Sequence, residues 1–392
     1  MSESFIKACA DGNRRIAQLL LSQEKDLDPN YTNSHGCTAL HYASANGYVD
    51  IMSELLESGA KIDYEDHQGR TALFMAIKAR QKPAAELLLE LGARPDISDY
   101  QGNSLLHLIA ITGQNALLSP LIDAGLDINL TNTNSDSPLL LAVSNRKRDV
   151  VSNLLDQGAD IDHSDKNGNN ALLIATALIN KPLVTLLLEH GSDINTANDD
   201  GYTPLFIACT KHNNMLVKYL LEQGADPLIE SNEGVSSIWL ACANNQKDIV
   251  SAFLNAGVDV NYSKNTNKEF VLNSYLDLVI EQLNYSNDNY HAISCEGESL
   301  IHVAAKQGHL SMIKLLLEKE ADIDALDAAG SSALHYAAVG GKKDIVKELI
   351  KHGCDTLIYN KAEQQAIDYS NQKGFNEITE MLLIAKQAQQ NG

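Results

Sequence analysis

Apolar residues along this chain fall into two short helical stripes per unit, and the unit recurs. GCTALHYA begins at Gly36, GRTALFMA at Gly69, GNSLLHLI at Gly102, SDSPLLLA at Ser135, GNNALLIA at Gly168, GYTPLFIA at Gly201 and GVSSIWLA at Gly234, each 33 residues after the last. Such a fixed step is the signature of a repeat array. A second apolar stretch follows in every unit, as in VDIMSELLESGAKID and KPLVTLLLEHGSDIN. Its spacing is helical: Leu55/Leu56, Leu87/Leu88 and Leu187/Leu188 follow apolar residues three to four positions earlier, which puts one stripe on one face. Gly59, Gly92, Gly158, Gly191 and Gly224 sit where a helix ends in a left-handed cap. Asp and Asn then fill the turn before the next unit, where their side chains bond local backbone. One unit therefore reads helix, turn, helix, hairpin-like loop.

A unit of this size cannot bury its own apolar face, so the units must stack into a continuous core with protected ends. Residues 1–33 read as an N-terminal capping repeat and residues 361–392 as a C-terminal capping repeat and tail, around regular repeats at 34–263 and 295–360. Register is lost between Gly234 and Gly297, which lie 63 residues apart. The excess falls on residues 264–294, with one helical run from Phe270 to Leu283. This segment reads either as a degenerate repeat or as a helical insertion. Tyr275, Tyr285 and Tyr290 lie in it and are candidate partner contacts, because tyrosine offers a large rigid face with a polar tip.

The pattern resembles the ankyrin-repeat family, whose units follow D-x-x-G-x-T-P-L-H-x-A-A and G-x-x-x-[IV]-V-x-x-L-L-x-x-G-A-D. The resemblance covers about nine tenths of the chain and both spacing and residue type recur many times. It implies an all-α solenoid of about ten helix-turn-helix units joined by short β-hairpin loops. There are departures. Ser135 replaces the loop glycine; Arg80, Arg146, Ile179 and His212 replace the glycine between helices; Pro120 falls inside a second helix.

The resemblance also implies a function, the non-catalytic binding of another protein through a concave surface of hairpin tips and first helices. The matching tip positions are Arg70, Tyr100, Asn103 and Tyr202. From the first helix and its exit come Lys78, Arg80, Asn145, Arg146, Lys211, His212 and Asn244. His41, His107, His302 and His335 share one slot, for which the resemblance implies a structural role. Asn129 and Asn195 resemble sites of asparaginyl hydroxylation in ankyrin repeats.

Charge narrows the choice of partner. The 30 basic and 51 acidic side chains leave −21, which repels phosphate backbones and anionic lipid headgroups and favours a protein with a basic or mixed surface. Against that background Lys78/Arg80/Lys82 and Arg146/Lys147/Arg148 are local basic groups suited to acidic side chains of a partner. No stretch approaches the ~20 apolar residues of a membrane span, and no secretory signal is read at the start. A cytoplasmic monomer is expected, acting as adaptor, scaffold or effector, the last in a host-cell cytosol if the source is a microbe.

Catalytic motifs are scarce. The six cysteines form no C-x-x-C pair, there is no H-E-x-x-H, and GGKK at Gly340 lacks the other residues of a phosphate loop. No metal or cofactor is expected. His291 and Cys295 are the one pair that a cysteine-based enzyme in the irregular segment could use, since an imidazole beside a thiol generates the thiolate. A passive spacer is the third reading.

Overall fold

The computed structural model describes residues 2–23, 27–263 and 297–391. The chain divides into two compact units, Met1–Asp193 and Ile194–Gly392. The first holds the pairs α1 (Ser2–Ala10) and α2 (Arg14–Gln23), α3 (Ala39–Asn46) and α4 (Val49–Glu57), α5 (Ala72–Lys78) and α6 (Lys82–Glu90). It continues with α7 (Leu105–Thr112) and α8 (Leu118–Asp123), α9 (Pro138–Ser144) and α10 (Arg148–Asp156), α11 (Ala171–Ala177) and α12 (Lys181–Glu189). The second holds α13 (Pro204–Thr210) and α14 (Asn214–Glu222), α15 (Ser237–Ala243) and α16 (Lys247–Asn255), α17 (Leu300–Gln307) and α18 (Leu310–Glu318). It ends with α19 (Ala333–Val339) and α20 (Lys343–Lys351), α21 (Ala366–Gln372) and α22 (Asn376–Asn391). The expected all-α solenoid of paired helices is what the chain builds.

First helices start on a polar cap. The side chains of Thr71, Ser137, Asn170, Thr203 and Ser236 each accept the backbone N–H three residues on, satisfying a donor that the helix itself leaves open. The second helices α4, α6, α8, α10 and α12 of the first unit bury a leucine completely at the same repeat position, Leu55, Leu88, Leu121, Leu154 and Leu187. Each contributes about 1.5–3 kcal/mol by leaving water. The hairpins are minimal, reduced to single antiparallel bridges such as Ser98 to Ser104 and Ser164 to Asn170.

The departures from pattern keep the backbone and change only the residue. Ser135, Arg80, Arg146, Ile179 and His212 all stand at φ between 53° and 64°, the left-handed region where glycine is the unstrained choice. Pro120 has a larger effect. It lacks an N–H, and the stretch before it, Asn115–Leu117, winds as a 3-10 turn, so that α8 begins only at Leu118 and spans six residues.

The stack continues past the break in sequence register. In regular steps an Asn or Asp side chain after the second helix accepts a backbone N–H 31 residues later: Asn30 from Lys61, Asp63 from Arg94, Asn129 from Asp160, Asn195 from Asp226 and Asp324 from Asp355, at 2.8–2.9 Å. Asn261 makes the same bond at 2.8 Å, but to Asp322, 61 residues on. Likewise Ser263 bridges to Ser299, where the other bridges close over six residues, and His309 Nε2 donates to the carbonyl of Ala243 at 2.9 Å. The repeat ending at Ser263 therefore packs directly on the repeat starting at Gly297.

Deleting residues 265–294 would leave five residues between Ser263 and Ser299, as between Ser98 and Ser104. The shortened chain is expected to fold and to gain about 1–2 kcal/mol from the smaller loop-closure cost. Urea unfolding followed at Trp239, the sole tryptophan, checks this. Loss of a cooperative transition would instead show that the segment carries packing of its own.

Candidate protein-binding faces

Each first helix carries two exposed polar regions, the loop tip before it and the turn after it. About seven residues at 1.5 Å each set them roughly 11 Å apart. The sequence candidates divide between these regions.

In the first unit the tip group contains Arg70, Tyr100 and Asn103. Arg70 grips Asp66 through Nε at 2.7 Å and Nη2 at 2.5 Å, and its guanidinium is mostly buried. Burial opposes the charge on Asp66, but bonds from the Arg70 side chain and from the N–H groups of Arg70 and Gln68 outweigh it and hold the carboxyl below its ordinary value. Arg70 thus organises its own loop. Asn103 is also engaged, donating to Asp99 at 3.2 Å and accepting from Asn132 at 3.0 Å. Tyr100 is the projecting group. It is 73% exposed, and its ring lies against Gly69, where an added Cβ would sit 3.1 Å from the ring.

The turn group of this unit, Lys78, Arg80, Asn145 and Arg146, is exposed throughout. Asn145 Nδ2 donates back to Leu141 O at 2.8 Å, and Arg146 Nη2 reaches Leu178 O of the next repeat at 3.2 Å. Between tips and turns runs a floor that sequence reasoning missed. Met75, Leu141 and Ile174, all six residues after the loop position, are half-buried, while Leu108 in the same slot is 5% exposed and Ile111, one helical turn further on, is 37% exposed. Its signal was present as an apolar residue recurring every 33 positions on the helix side away from Leu73, Leu139 and Leu172.

In the second unit Tyr202 stacks flat on Phe206, with centroids 4.6 Å apart and planes at 10°. Lys211 and His212 are exposed. His212 Nδ1 accepts from Gln246 Nε2 at 2.6 Å, and with Asn244, Asn214, Lys247 and Ser311 it lines a cleft of about 520 Å³. The equivalent floor residues, Ile207 and Leu240, are buried at 9% and 6% exposure. Tyr275, Tyr285 and Tyr290, with His291 and Cys295, lie outside the described residues.

The buried polar groups hold the array together. Thr38 N–H donates to His41 Nδ1 at 3.0 Å, so Nδ1 is the bare nitrogen and Nε2 carries the proton that goes to Arg70 O at 2.9 Å. His107, His302 and His335 repeat the arrangement, reaching the carbonyls of Asp136, Ser331 and Gln364 in the following repeats. Burial lowers all four pKa values. The described cysteines are buried, and burial pushes the Cys9 and Cys354 thiols up to about 12 and those of Cys209 and Cys242 higher still, the reverse of what a nucleophile needs. Among the described residues no group of three or more His, Cys, Asp or Glu could hold a metal, and no helix is long and apolar enough to cross a membrane.

The family model for ankyrin repeats in three copies matches residues 5–99, 106–198, 177–264, 270–360 and 301–391, nearly the whole chain. The chain belongs to the ankyrin-repeat family. Members are generally protein–protein interaction modules without catalytic activity of their own. Curated relatives match locally: inversin of Danio rerio is 37% identical over 60 residues, 15% of this chain and 6% of inversin. Ankyrin repeat domain-containing protein 39 of Homo sapiens is 52% identical over 44 residues, 11% of this chain and 24% of that protein. The matched stretches thus span less than a quarter of either relative's length. Among solved structures, the ankyrin repeat domain of Bcl-3, described as a unique member of the IkappaB family, aligns at TM-score 0.50 and 27% identity, over 56% of this chain and 100% of that one. The human ASB11 ankyrin repeat domain aligns at 0.50 and 24% identity, over 57% and 98%, and shows the fold alone.

Proposed function

We propose that this ankyrin-repeat chain is a non-catalytic adaptor, scaffold or effector that binds one folded protein partner across its loop tips and first helices. The observation that carries the reading is the first unit's inner surface. There Met75, Leu141 and Ile174 recur half-buried on successive first helices, Ile111 is 37% exposed, and Tyr100 on the loop tip is 73% exposed. An apolar floor with a polar rim and an aromatic anchor is how protein interfaces are built. Rigid stacking lowers the entropy that presenting this surface costs. The chain is proposed to act as a monomer in a cytosol, its own or a host's, on a partner with basic or mixed charge rather than on nucleic acid or lipid. The direct packing of the repeats around residues 264–296 favours reading that segment as an insertion.

The test is affinity capture from candidate lysates with wild-type chain, Tyr100→Ala/Ile111→Ser and Glu54→Ala on the outer helix. Loss of one specific partner at least tenfold with the double variant and retention with Glu54→Ala is expected. Equal retention by all three would remove the surface from the account. Asn129 and Asn195 are further proposed as asparaginyl hydroxylation sites, and a native intact mass without added oxygen would withdraw that assignment.

A further inference from the structure

Charge in the first unit is sorted by edge. The loops at 57–69, 90–102, 123–136 and 156–168 contain fourteen Asp and Glu against three Lys and Arg. The inter-helix turns of the same four repeats, at 78–82, 112–115, 144–148 and 177–181, contain seven Lys and Arg and no acid. Within this unit the turns form one continuous edge: Arg146 bonds Leu178 O, Lys147 packs its side chain over Gly113, and Gln114 reaches back to the carbonyl of Ile77. Lys82 is paired with Glu86 of its own helix at 3.3 Å, and Asp149 follows Arg148 in the chain. Among the described residues no carboxylate lies within 4.0 Å of Arg80, Arg146 or Arg148.

We infer that this turn edge is a second binding surface, distinct from the tips and floor, for an acidic segment of a partner protein laid along the repeats from α5/α6 to α11/α12. Packed helices lie about 8–10 Å apart, so the basic groups extend over roughly 30 Å. That length suits an extended segment of about ten residues better than a compact anion. Selectivity against larger polyanions follows from the sorting. A narrow acidic segment stays on the basic edge, about 11 Å from the acidic loops, which exceeds the ~8 Å screening length at physiological salt. A bilayer or nucleic-acid duplex is broader and meets the field of a chain that carries −21.

The probe is a fluorescent polyglutamate peptide of about 15 residues, titrated by anisotropy against wild-type chain, Arg80→Glu/Arg148→Glu, and Lys61→Glu on the loop edge. The chain is expected to bind the peptide, with at least tenfold weaker binding in the double variant, less than twofold change in Lys61→Glu, and marked weakening by added salt. Circular dichroism melts confirm that all three fold. No binding by the wild type, or equal losses in both variants, would overturn the proposal. So would a wild-type chain that sediments with phosphatidylserine vesicles or binds single-stranded DNA more tightly than polyglutamate.

Discussion

Replacing His302 by alanine is expected to cost the second unit about 3–5 kcal/mol. The side chain is fully buried, so its removal opens a void beside Tyr336, whose ring it meets edge-on at 5.7 Å. It also leaves the buried Ser299 N–H, 3.1 Å from Nδ1, unmatched, and it removes the imidazole donor 3.0 Å from the Ser331 carbonyl, which then keeps only the N–H of Asp327. An orphaned buried group costs about 1–3 kcal/mol. Because Ser331 belongs to the next repeat, the loss strikes stacking as well as the local cap. Phe74 and Phe206 occupy the same slot elsewhere, so His302→Phe should recover the void but not the bonds and fall between wild type and alanine. Urea unfolding read at Trp239, within the same unit, measures the shift. A loss below about 1 kcal/mol for His302→Ala would mean that this histidine is not a tie between repeats.

Acid should weaken both units through the same four residues. Burial lowers the imidazole pKa in the folded chain from the ordinary 6.5, so below pH 6.5 the unfolded chain takes protons that the folded chain refuses. The sign is then fixed. Stability is complete above pH 6.5, falls as pH drops below it, and levels off once the folded pKa values are passed. Each neutral imidazole subtracts about 1.4 kcal/mol per pH unit in that window. With His302 and His335 both in the second unit, the Trp239 transition should lose stability as pH falls from 7.5 to 5.5, by at most about 1.4 kcal/mol per histidine for each pH unit below 6.5. The double variant His302→Phe/His335→Phe starts from lower stability and should show a much flatter slope. An unchanged slope in that variant would assign the acid sensitivity to other groups.

The repeat and its paired helices were legible in the sequence because they rest on periodic apolar positions and on residue types with local roles. Ile179 and Ser135 show that the backbone plan survives loss of the glycine that signals it, since stacking holds a strained φ that local preference disfavours. Less was legible of the surface. Arg70 matched a partner-contact position, yet its guanidinium is engaged by Asp66, a pairing that depends on how the loop closes. Tyr100 could be ranked above Asn103 only once exposure was known. The stacking across residues 264–296 was beyond a register argument. A 63-residue interval accommodates a repeat or an insertion equally, and the bonds that join its flanks, Asn261 to Asp322 and Ser263 to Ser299, connect residues far apart in the chain.

Site-specific photo-crosslinking locates a protein partner on the loop tips and first helices without relying on loss of binding. A photoreactive amino acid placed at Tyr100, at Ile111 or at Glu54 on the outer helix would be activated in lysate or in cells. The same crosslinked protein is expected from positions 100 and 111 and none from position 54. Crosslinks from position 54 alone, or an indistinguishable scatter from all three, would contradict that placement.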